Sequence, residues 1–214
     1  MFSPRERELE RGWPGRIDGD HVVQLAAQTL QSFFSGGGQA REHAVFPVEE
    51  IVLRAPVLHP PSIRVFGGDG DFAFANPASV YGPDEELALP DGAAAIESDL
   101  RLAAVIGAAG AIGGFTLMND WVAPDLDGAK ARDFAISLGP IVVTPDEFPP
   151  RDDWPHLVDH AARNTRLLPG DVLAAGTARG GPYGAGDIVE LELEEVGVLR
   201  NRIAVQREAG WPLR

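Results

Sequence analysis

Hydrophobic and polar positions alternate along much of this chain with the period of two that is typical of β-strands. In the stretch IESDLRLAAVIG, residues 96–107, apolar side chains fall at every second position from Leu100 to Ile106, and Asp99 and Arg101 lie at alternate positions. Successive strand side chains point to opposite faces of a sheet. The pattern therefore predicts a strand with one face in a core and with Asp99 and Arg101 on the other face.

Other parts of the chain predict mainly short strands, with two helices among them. Turn residues and apolar runs predict a hairpin over 15–25 and strands in 111–120, 136–148, 172–181 and 187–204. Apolar side chains at helical spacing, followed by glycine or proline, predict helices over 26–34 and 153–168. The chain is thus predicted to be one α+β domain that is mostly β, with few short helices.

The composition agrees with a β-rich domain. The 214 residues include 25 glycines and 18 prolines, which favour turns and short strands, and no cysteine, which excludes disulfides. No apolar run is long enough to cross a bilayer, and the segment MFSPRERELERGW lacks the apolar core of a signal peptide. We therefore expect a cytoplasmic protein that binds no membrane.

The net charge of −14 limits the possible ligands. A surface this acidic repels a phosphate backbone, and no basic stripe with interleaved aromatic residues is present, so we expect no binding to nucleic acid. A small anionic substrate also requires a local cation, which is either a metal ion or a well-placed arginine or lysine.

A series of short segments follows in order from about Pro60 to Ile203: PPSIRVF, FANPASVYGP, DLRLAAVIG, GGFTLMND, the lysine of DGAKARDF, LGPIVV, LPGDVLAAGTARGG and GDIVELELEEVGVLRNRI. Their order and spacing resemble those of the fumarylacetoacetate hydrolase superfamily. The resemblance implies a layered, partly rolled β-sheet and a homodimer. It also implies a small hairpin-and-helix lead-in over residues 1–47 and a fumarylacetoacetase C-terminal-like domain over residues 48–214.

Members of this superfamily hydrolyse, decarboxylate, hydrate or isomerise small 2-oxo acids and 1,3-dicarbonyl acids. The resemblance implies a small anionic carboxylic acid as substrate. It also implies a Mg²⁺, Mn²⁺ or Ca²⁺ ion held by carboxylates, which polarises the substrate oxygens and stabilises an enolate.

Five positions match functional positions of the superfamily. Asp99 and Asp120 match metal ligands, and Asp120 also belongs to the predicted catalytic set. Lys130 matches a lysine that lies near the metal and the substrate oxygens, which implies a catalytic and substrate-binding role. Gly176 and Thr177 match a Gly-Thr motif whose threonine hydroxyl binds the substrate carboxylate.

Four other positions depart from the pattern. Arg101 stands where the second metal-binding acid is expected, and Val65 replaces a further acid. Pro124 replaces an arginine that binds a substrate carboxylate. Ungapped counting places Phe72 at the position of a catalytic histidine. The metal site is therefore incomplete, and the protein is expected to hold Mg²⁺ or Mn²⁺ poorly or to hold no metal.

Two interpretations of Arg101 stay open. It is either a solvated strand residue or a catalytic cation whose guanidinium lies where a metal would otherwise lie, neutralising Asp99 and Asp120 and available to a substrate carboxylate. For the two aspartates the alternative is a role in strand-end caps or salt bridges. A shifted metal pair of Glu97 and Asp99 would move a ligand by about 7 Å.

The remaining matches also have structural alternatives. Lys130 is otherwise a surface residue, and the Thr177 hydroxyl otherwise binds a turn. His156 and His160 have the spacing of zinc-binding helices but lack the glutamate of HExxH, which favours a helix surface. The alternating glutamates of ELELE, residues 190–194, predict a solvated strand face.

Three functions remain compatible with these residues. The first is a metal-dependent enzyme acting on a small 2-oxo or 1,3-dicarbonyl acid by C–C hydrolysis, decarboxylation or tautomerisation. The second is a catalytically reduced member of the superfamily that serves as a ligand-binding or structural partner subunit. The third is a metal-independent enzyme that uses Arg101 as its electrophile.

Overall fold

The computed structural model describes residues 1–37, 39–148 and 154–205. Within these residues the strands are β1 (Phe2–Pro4), β2 (Gly15–Asp18), β3 (His21–Ala26), β4 (Gln39–Pro47), β5 (Ile51–Leu53), β6 (Ile63–Phe66), β7 (Phe72–Ala75), β8 (Val80–Tyr81), β9 (Glu86–Leu87), β10 (Ile96–Ile106), β11 (Ile112–Asp120), β12 (Ile136–Val143), β13 (Val172–Tyr183), β14 (Ile188–Leu193) and β15 (Gly197–Ile203). The α-helices are α1 (Leu30–Ser32), continued by a π-helical turn over Phe33–Gly37, and α2 (Trp154–Ala162). Short 3-10 turns cover Val48–Glu50, Ala108–Gly110 and Gly128–Ala131.

One seven-stranded sheet organises the fold, in the order β7-β6-β13-β10-β11-β12-β8. Two three-stranded sheets, β14-β15-β9 and β2-β3-β4, and the pair β1-β5 accompany it. This architecture confirms the predicted α+β, mostly β fold. In the part of the chain that is described, no helix has the length and apolar character needed to cross a membrane.

The long strand β10 occupies the middle of the large sheet, between antiparallel partners β11 and β13. One of its faces packs on a core that includes Phe115 and Leu117, and the other contributes Ala103 to a second core with Met118 and Ile136. The expectation of a single core face was therefore wrong, because β10 is a central strand covered on both sides.

Some predicted elements end earlier or divide. The segment 187–204 forms a hairpin of β14 and β15. The first helix is shorter than expected because residue 26 still belongs to β3. The second helix ends at Ala162, and Asn164 just beyond it has a φ of 60°, a left-handed conformation that cannot continue a helix.

The predicted division of the chain at residue 48 stays a prediction. The sheet β2-β3-β4 lies within the predicted lead-in, whereas β1 pairs with β5 across that boundary. The ring of Phe2 contacts Trp13 and Phe46 beside this pair, in a small core that also includes Ile51 from beyond the predicted boundary.

Candidate active site

A cleft of about 570 Å³ opens beside the middle of β10 and the end of β11, between the β6–β7 hairpin and the turn at Gly128–Ala131. Small apolar side chains from the hairpin form one wall: Val65, Ala73 and Ala75. Arg101, Asp120 and Arg132 provide charged groups on its lining. The cleft therefore combines an apolar wall with charged groups at its inner end, as small-molecule sites commonly do.

The strand register brings the two candidate metal ligands together. Leu100 of β10 pairs with Asn119 of β11, and the next positions along this register are Asp99 and Asp120. Facing residues of adjacent antiparallel strands point to the same side of a sheet. The side chain of Asp99 is completely buried and that of Asp120 is 4% exposed, so their negative charges lie side by side in a site largely shielded from water.

A β-bulge in β13 completes the site from the other side of β10. Leu100 pairs with Ala178 and Leu102 pairs with Ala175, so Gly176 and Thr177 together face Arg101. Gly176 has a φ of 79°, which a bulge of this kind requires and which glycine adopts without strain.

Arg101 lies between the two aspartates, as one of the two sequence-based interpretations proposed. Its Nη2 donates to Oδ2 of Asp99 at 2.6 Å, and its Nε is 3.8 Å from Oδ2 of Asp120. Its Nη1 donates to the carbonyl oxygens of Phe66, at 3.2 Å, and of Gly176, at 2.7 Å. The residue is 9% exposed, so the interpretation as a solvated strand residue was wrong.

Arg132 is a second cation at this site, and no sequence pattern indicated it. Its Nη1 donates to Oδ2 of Asp120, and its Nη2 is 3.5 Å from Oδ2 of Asp99. The Arg132 side chain is 36% exposed and lines the cleft, unlike the nearly buried Arg101. The available signal was its position two residues after Lys130, in a segment already assigned to the site.

Burial and charge act in opposite directions on Asp120. Burial raises the pKa of its carboxyl group above the ordinary value of 3.8, the guanidinium groups of Arg132 and Arg101 lower that pKa, and neighbouring Asp99 raises it again; the net shift is upward. Oδ1 of Asp120 and Nε of Arg101 have no hydrogen-bond partner within the described residues. The charge pairing therefore compensates only part of the cost of burying this carboxylate.

Thr177 contacts Asp99 directly. Its hydroxyl donates to Oδ1 of Asp99 at 2.5 Å, so both oxygens of that carboxylate accept hydrogen bonds from side chains. The backbone N–H of Asp99 donates to Oδ1 of Asn119 at 2.8 Å. These bonds fix the acid at the centre of the cluster. The substrate-binding roles of Thr177 and Gly176 stay predictions.

Lys130 lies apart from the aspartate pair. Its side chain is 78% exposed, and its Nζ donates to Oδ2 of Asp133 at 2.5 Å. This bond holds the pKa of Asp133 below its ordinary value of 3.8. Asp133 lines the cleft, so Lys130 stands near its rim. The ion pair that the structure shows for Lys130 is with Asp133 and not with Asp99 or Asp120. Its catalytic and substrate-binding role stays a prediction.

The departures from the superfamily pattern occupy distinct places. Val65 lines the cleft, where it offers no oxygen ligand. Phe72 packs its ring edge-to-face on Phe66 and on His160, with centroids 5.4 and 5.7 Å apart. Pro124 is exposed in the segment after β11.

The other sequence alternatives are largely structural. His156 is exposed, while His160 packs against Phe66 and Phe72, whose rings line the cleft, with Nε2 3.5 Å from Oδ1 of Asp71. No group of three or more metal-binding side chains includes them within the described ranges. The glutamates at 190, 192 and 194 are exposed, as predicted. Glu97 is half-buried where β10 bridges to Val122.

The residues present do not fit a divalent metal ion. The buried cluster offers two carboxylates, and each already accepts a hydrogen bond from a guanidinium group. Mg²⁺ and Mn²⁺ prefer several oxygen ligands, and a cation is disfavoured beside two arginines. Among the residues that the structure describes, no set of three or more His, Cys, Asp or Glu side chains forms a metal-binding group.

Residues 66–155 and 153–204 match the family model "Fumarylacetoacetate (FAA) hydrolase C-terminal". The match covers more than half of the chain, which therefore belongs to the fumarylacetoacetate hydrolase family. The structural neighbours described below share its fold.

Two related sequences illustrate the similarity. Protein Rv2993c of Mycobacterium tuberculosis is 28% identical in an alignment that covers 74% of this chain and 80% of that protein. The 2,4-didehydro-3-deoxy-L-rhamnonate hydrolase of a Sphingomonas species is 27% identical in an alignment that covers 62% of this chain and 64% of that enzyme.

Solved structures share the fold at lower identity. Fumarylacetoacetate hydrolase from psychrophilic Exiguobacterium antarcticum aligns with a TM-score of 0.77 and 19% identity, covering 92% of this chain and 96% of that chain. Maleylpyruvate hydrolase from Sphingobium sp. SYK-6, in complex with manganese(II) and pyruvate, aligns with a TM-score of 0.74 and 20% identity, covering 95% and 99%. The expected homodimer and cytoplasmic location stay predictions.

Proposed function

We propose that this protein binds a small 2-oxo or 1,3-dicarbonyl acid in the cleft and promotes tautomerisation or decarboxylation by stabilising the enolate with guanidinium groups. The observation that carries this proposal is the pair Arg101 and Arg132, held by two buried aspartates at the inner end of the cleft. The family relatives named as hydrolases of small acids support the substrate class.

Arg132 is the group that contacts the substrate in this proposal. More than a third of its side chain is exposed, and the aspartates hold one edge of its guanidinium, which leaves donors for a substrate oxygen. Arg101 contributes positive charge without contacting the substrate in this proposal. Its two terminal nitrogens are already bound to protein acceptors. The wall of Val65, Ala73 and Ala75 accommodates the carbon chain of the substrate.

The chemistry requires negative charge to develop on the 2-oxo oxygen. In decarboxylation of oxaloacetate, the C3–C4 bond breaks, carbon dioxide leaves, and the electron pair passes into the enolate of pyruvate, which then takes a proton from water at C3. In tautomerisation, a proton leaves C3 for water and returns at the oxygen. A fixed cation beside that oxygen stabilises both transition states, and removal of one such group typically lowers the rate about 100-fold or more.

A second candidate function is that of a catalytically reduced family member. Each terminal nitrogen of Arg101 has a protein acceptor, so much of the charge cluster is satisfied without a ligand. A protein of this kind would bind a small acid without turnover, or serve as a structural subunit.

Assays with acetylpyruvate and oxaloacetate, each with and without EDTA, separate these functions. The proposal expects turnover that EDTA does not change, and a loss of about 100-fold in Arg132→Gln. The matched control is Arg200→Gln. Arg200 is an exposed arginine that pairs with Asp84 and is not among the residues that line the cleft. Turnover abolished by EDTA would overturn the proposal. Binding detected by NMR without turnover favours the second candidate.

A further inference from the structure

Four charged side chains form an alternating ring at the inner end of the cleft. Arg101 lies 2.6 Å from Asp99 and 3.8 Å from Asp120, measured between nitrogen and oxygen. Arg132 lies 3.5 Å from Asp99 and donates a hydrogen bond to Asp120. Each guanidinium thus contacts both carboxylates, and all four of these contacts involve the Oδ2 atoms of the two acids.

The charges in this ring balance. Two buried carboxylates placed side by side repel each other, and each also loses the solvation that water provides. The guanidinium groups supply two positive charges, the same charge as one divalent cation. Two of the buried polar atoms in the ring, Oδ1 of Asp120 and Nε of Arg101, have no hydrogen-bond partner within the described residues, although the two residues are only 2% and 9% exposed.

We propose that Asp99 and Asp120, with Thr177, form a latent divalent-cation site in which Arg101 and Arg132 take the place of the ion. The two arginines keep a cation out by charge and by occupying the Oδ2 atoms of both acids. Reversal of one of these charges therefore converts the ring into an oxygen-rich site with three carboxylates, which is the kind of ligand set that Mn²⁺ and Mg²⁺ prefer. This inference does not depend on the proposed enzymatic activity, because it concerns binding of a metal ion alone.

The experiment is a titration of the full chain with Mn²⁺, followed by electron paramagnetic resonance of the free ion. Arg101→Glu is expected to bind one Mn²⁺ per chain at least tenfold more tightly than the unmodified protein. Combination with Asp120→Asn is expected to remove the gain. Equally tight binding by the unmodified protein would overturn the inference, since it would mean that the arginines do not exclude the ion.

A matched control distinguishes a built site from a general gain of negative charge. Arg200 is 53% exposed and lies between Asp84 and Glu190, at 2.6 and 3.8 Å, so Arg200→Glu also places a third acid between two others, but in water. This variant is expected to show at least tenfold weaker binding than Arg101→Glu. Equal binding by the two variants would overturn the inference.

Arg101→Glu carries a risk of misfolding because the position is nearly buried. Arg132→Glu makes the same charge reversal at a side chain that is 36% exposed, and it is expected to show the same gain in Mn²⁺ binding. Thermal unfolding adds a second measurement: Mn²⁺ is expected to raise the melting temperature of either variant and not that of the unmodified protein. A folded Arg132→Glu protein that binds no additional Mn²⁺ would contradict the inference.

Discussion

Thr177 donates a hydrogen bond of 2.5 Å to the fully buried carboxylate of Asp99, across a separation of 78 residues in the chain. The two residues lie on neighbouring strands, and the bulge at Gly176 turns the hydroxyl toward the acid. Arg101 donates to Oδ2 of Asp99, and the Thr177 hydroxyl is the side-chain donor to Oδ1. The bulge therefore links a backbone irregularity to the electrostatics of the charge cluster.

Thr177→Val is expected to lower the free energy of unfolding by roughly 1–3 kcal/mol, because it removes a hydrogen bond to a charged group and leaves a buried acceptor unsatisfied. Urea unfolding at neutral pH measures this change. Thr177→Ser keeps the hydroxyl and should retain most of the stability. A loss in Thr177→Ser with none in Thr177→Val would mean that the methyl group, and not the hydrogen bond, is responsible.

Gly176→Ala is expected to destabilise the protein by about 1–2 kcal/mol, because its φ of 79° is left-handed and an added Cβ is strained there. No heavy atom lies within 4 Å of that Cβ, so the cost arises from the backbone and not from a clash. Gly184→Ala is the control, since Gly184 also has open space around it and is not among the glycines with positive φ. A cost for Gly184→Ala as large as that for Gly176→Ala would contradict this explanation.

The sequence predicted the buried pair better than its surroundings. The period of two along β10 placed Asp99 and Arg101 on one face, and the structure confirms that they meet there. It did not reveal that this face is buried, because burial depends on which side chains pack on that face, and these come from distant segments such as those of Ala55 and Ile136. Arg132 was missed because it follows a short 3-10 turn, where no periodicity indicates the direction of a side chain.

Loss of one member of the buried ring should be costly. Arg101→Met is expected to lower the free energy of unfolding by roughly 3–5 kcal/mol, because Asp99 then remains buried without its closest counter-ion. The double variant Asp99→Asn/Arg101→Met removes both charges and is expected to recover part of that loss. Urea unfolding of Arg101→Met, of Asp99→Asn and of the double variant measures the coupling between the two side chains. Additive losses would mean that the ion pair contributes no coupling to stability.

Asp120 should make stability depend on pH in an unusual direction for an acid. Its pKa in the folded protein is raised, chiefly by burial, so the folded state holds the proton more tightly than the unfolded state. Its contribution to stability is therefore fully present below the unfolded pKa and is lost as pH rises through the folded pKa. The stability difference between the unmodified protein and Asp120→Asn is expected to decrease as pH rises from 3.8, the ordinary value, toward neutrality.

Asp133 provides a control of opposite sign at the same cleft. Its pKa is lowered, mainly by the hydrogen bond from Lys130, so its contribution to stability is present above the unfolded pKa and is lost as pH falls through the folded pKa. The difference between the unmodified protein and Asp133→Asn should therefore increase as pH rises toward 3.8. Urea unfolding at a series of pH values gives both curves. Slopes of the same sign for the two aspartates would show that the desolvation of Asp120 is more than offset by its arginine neighbours.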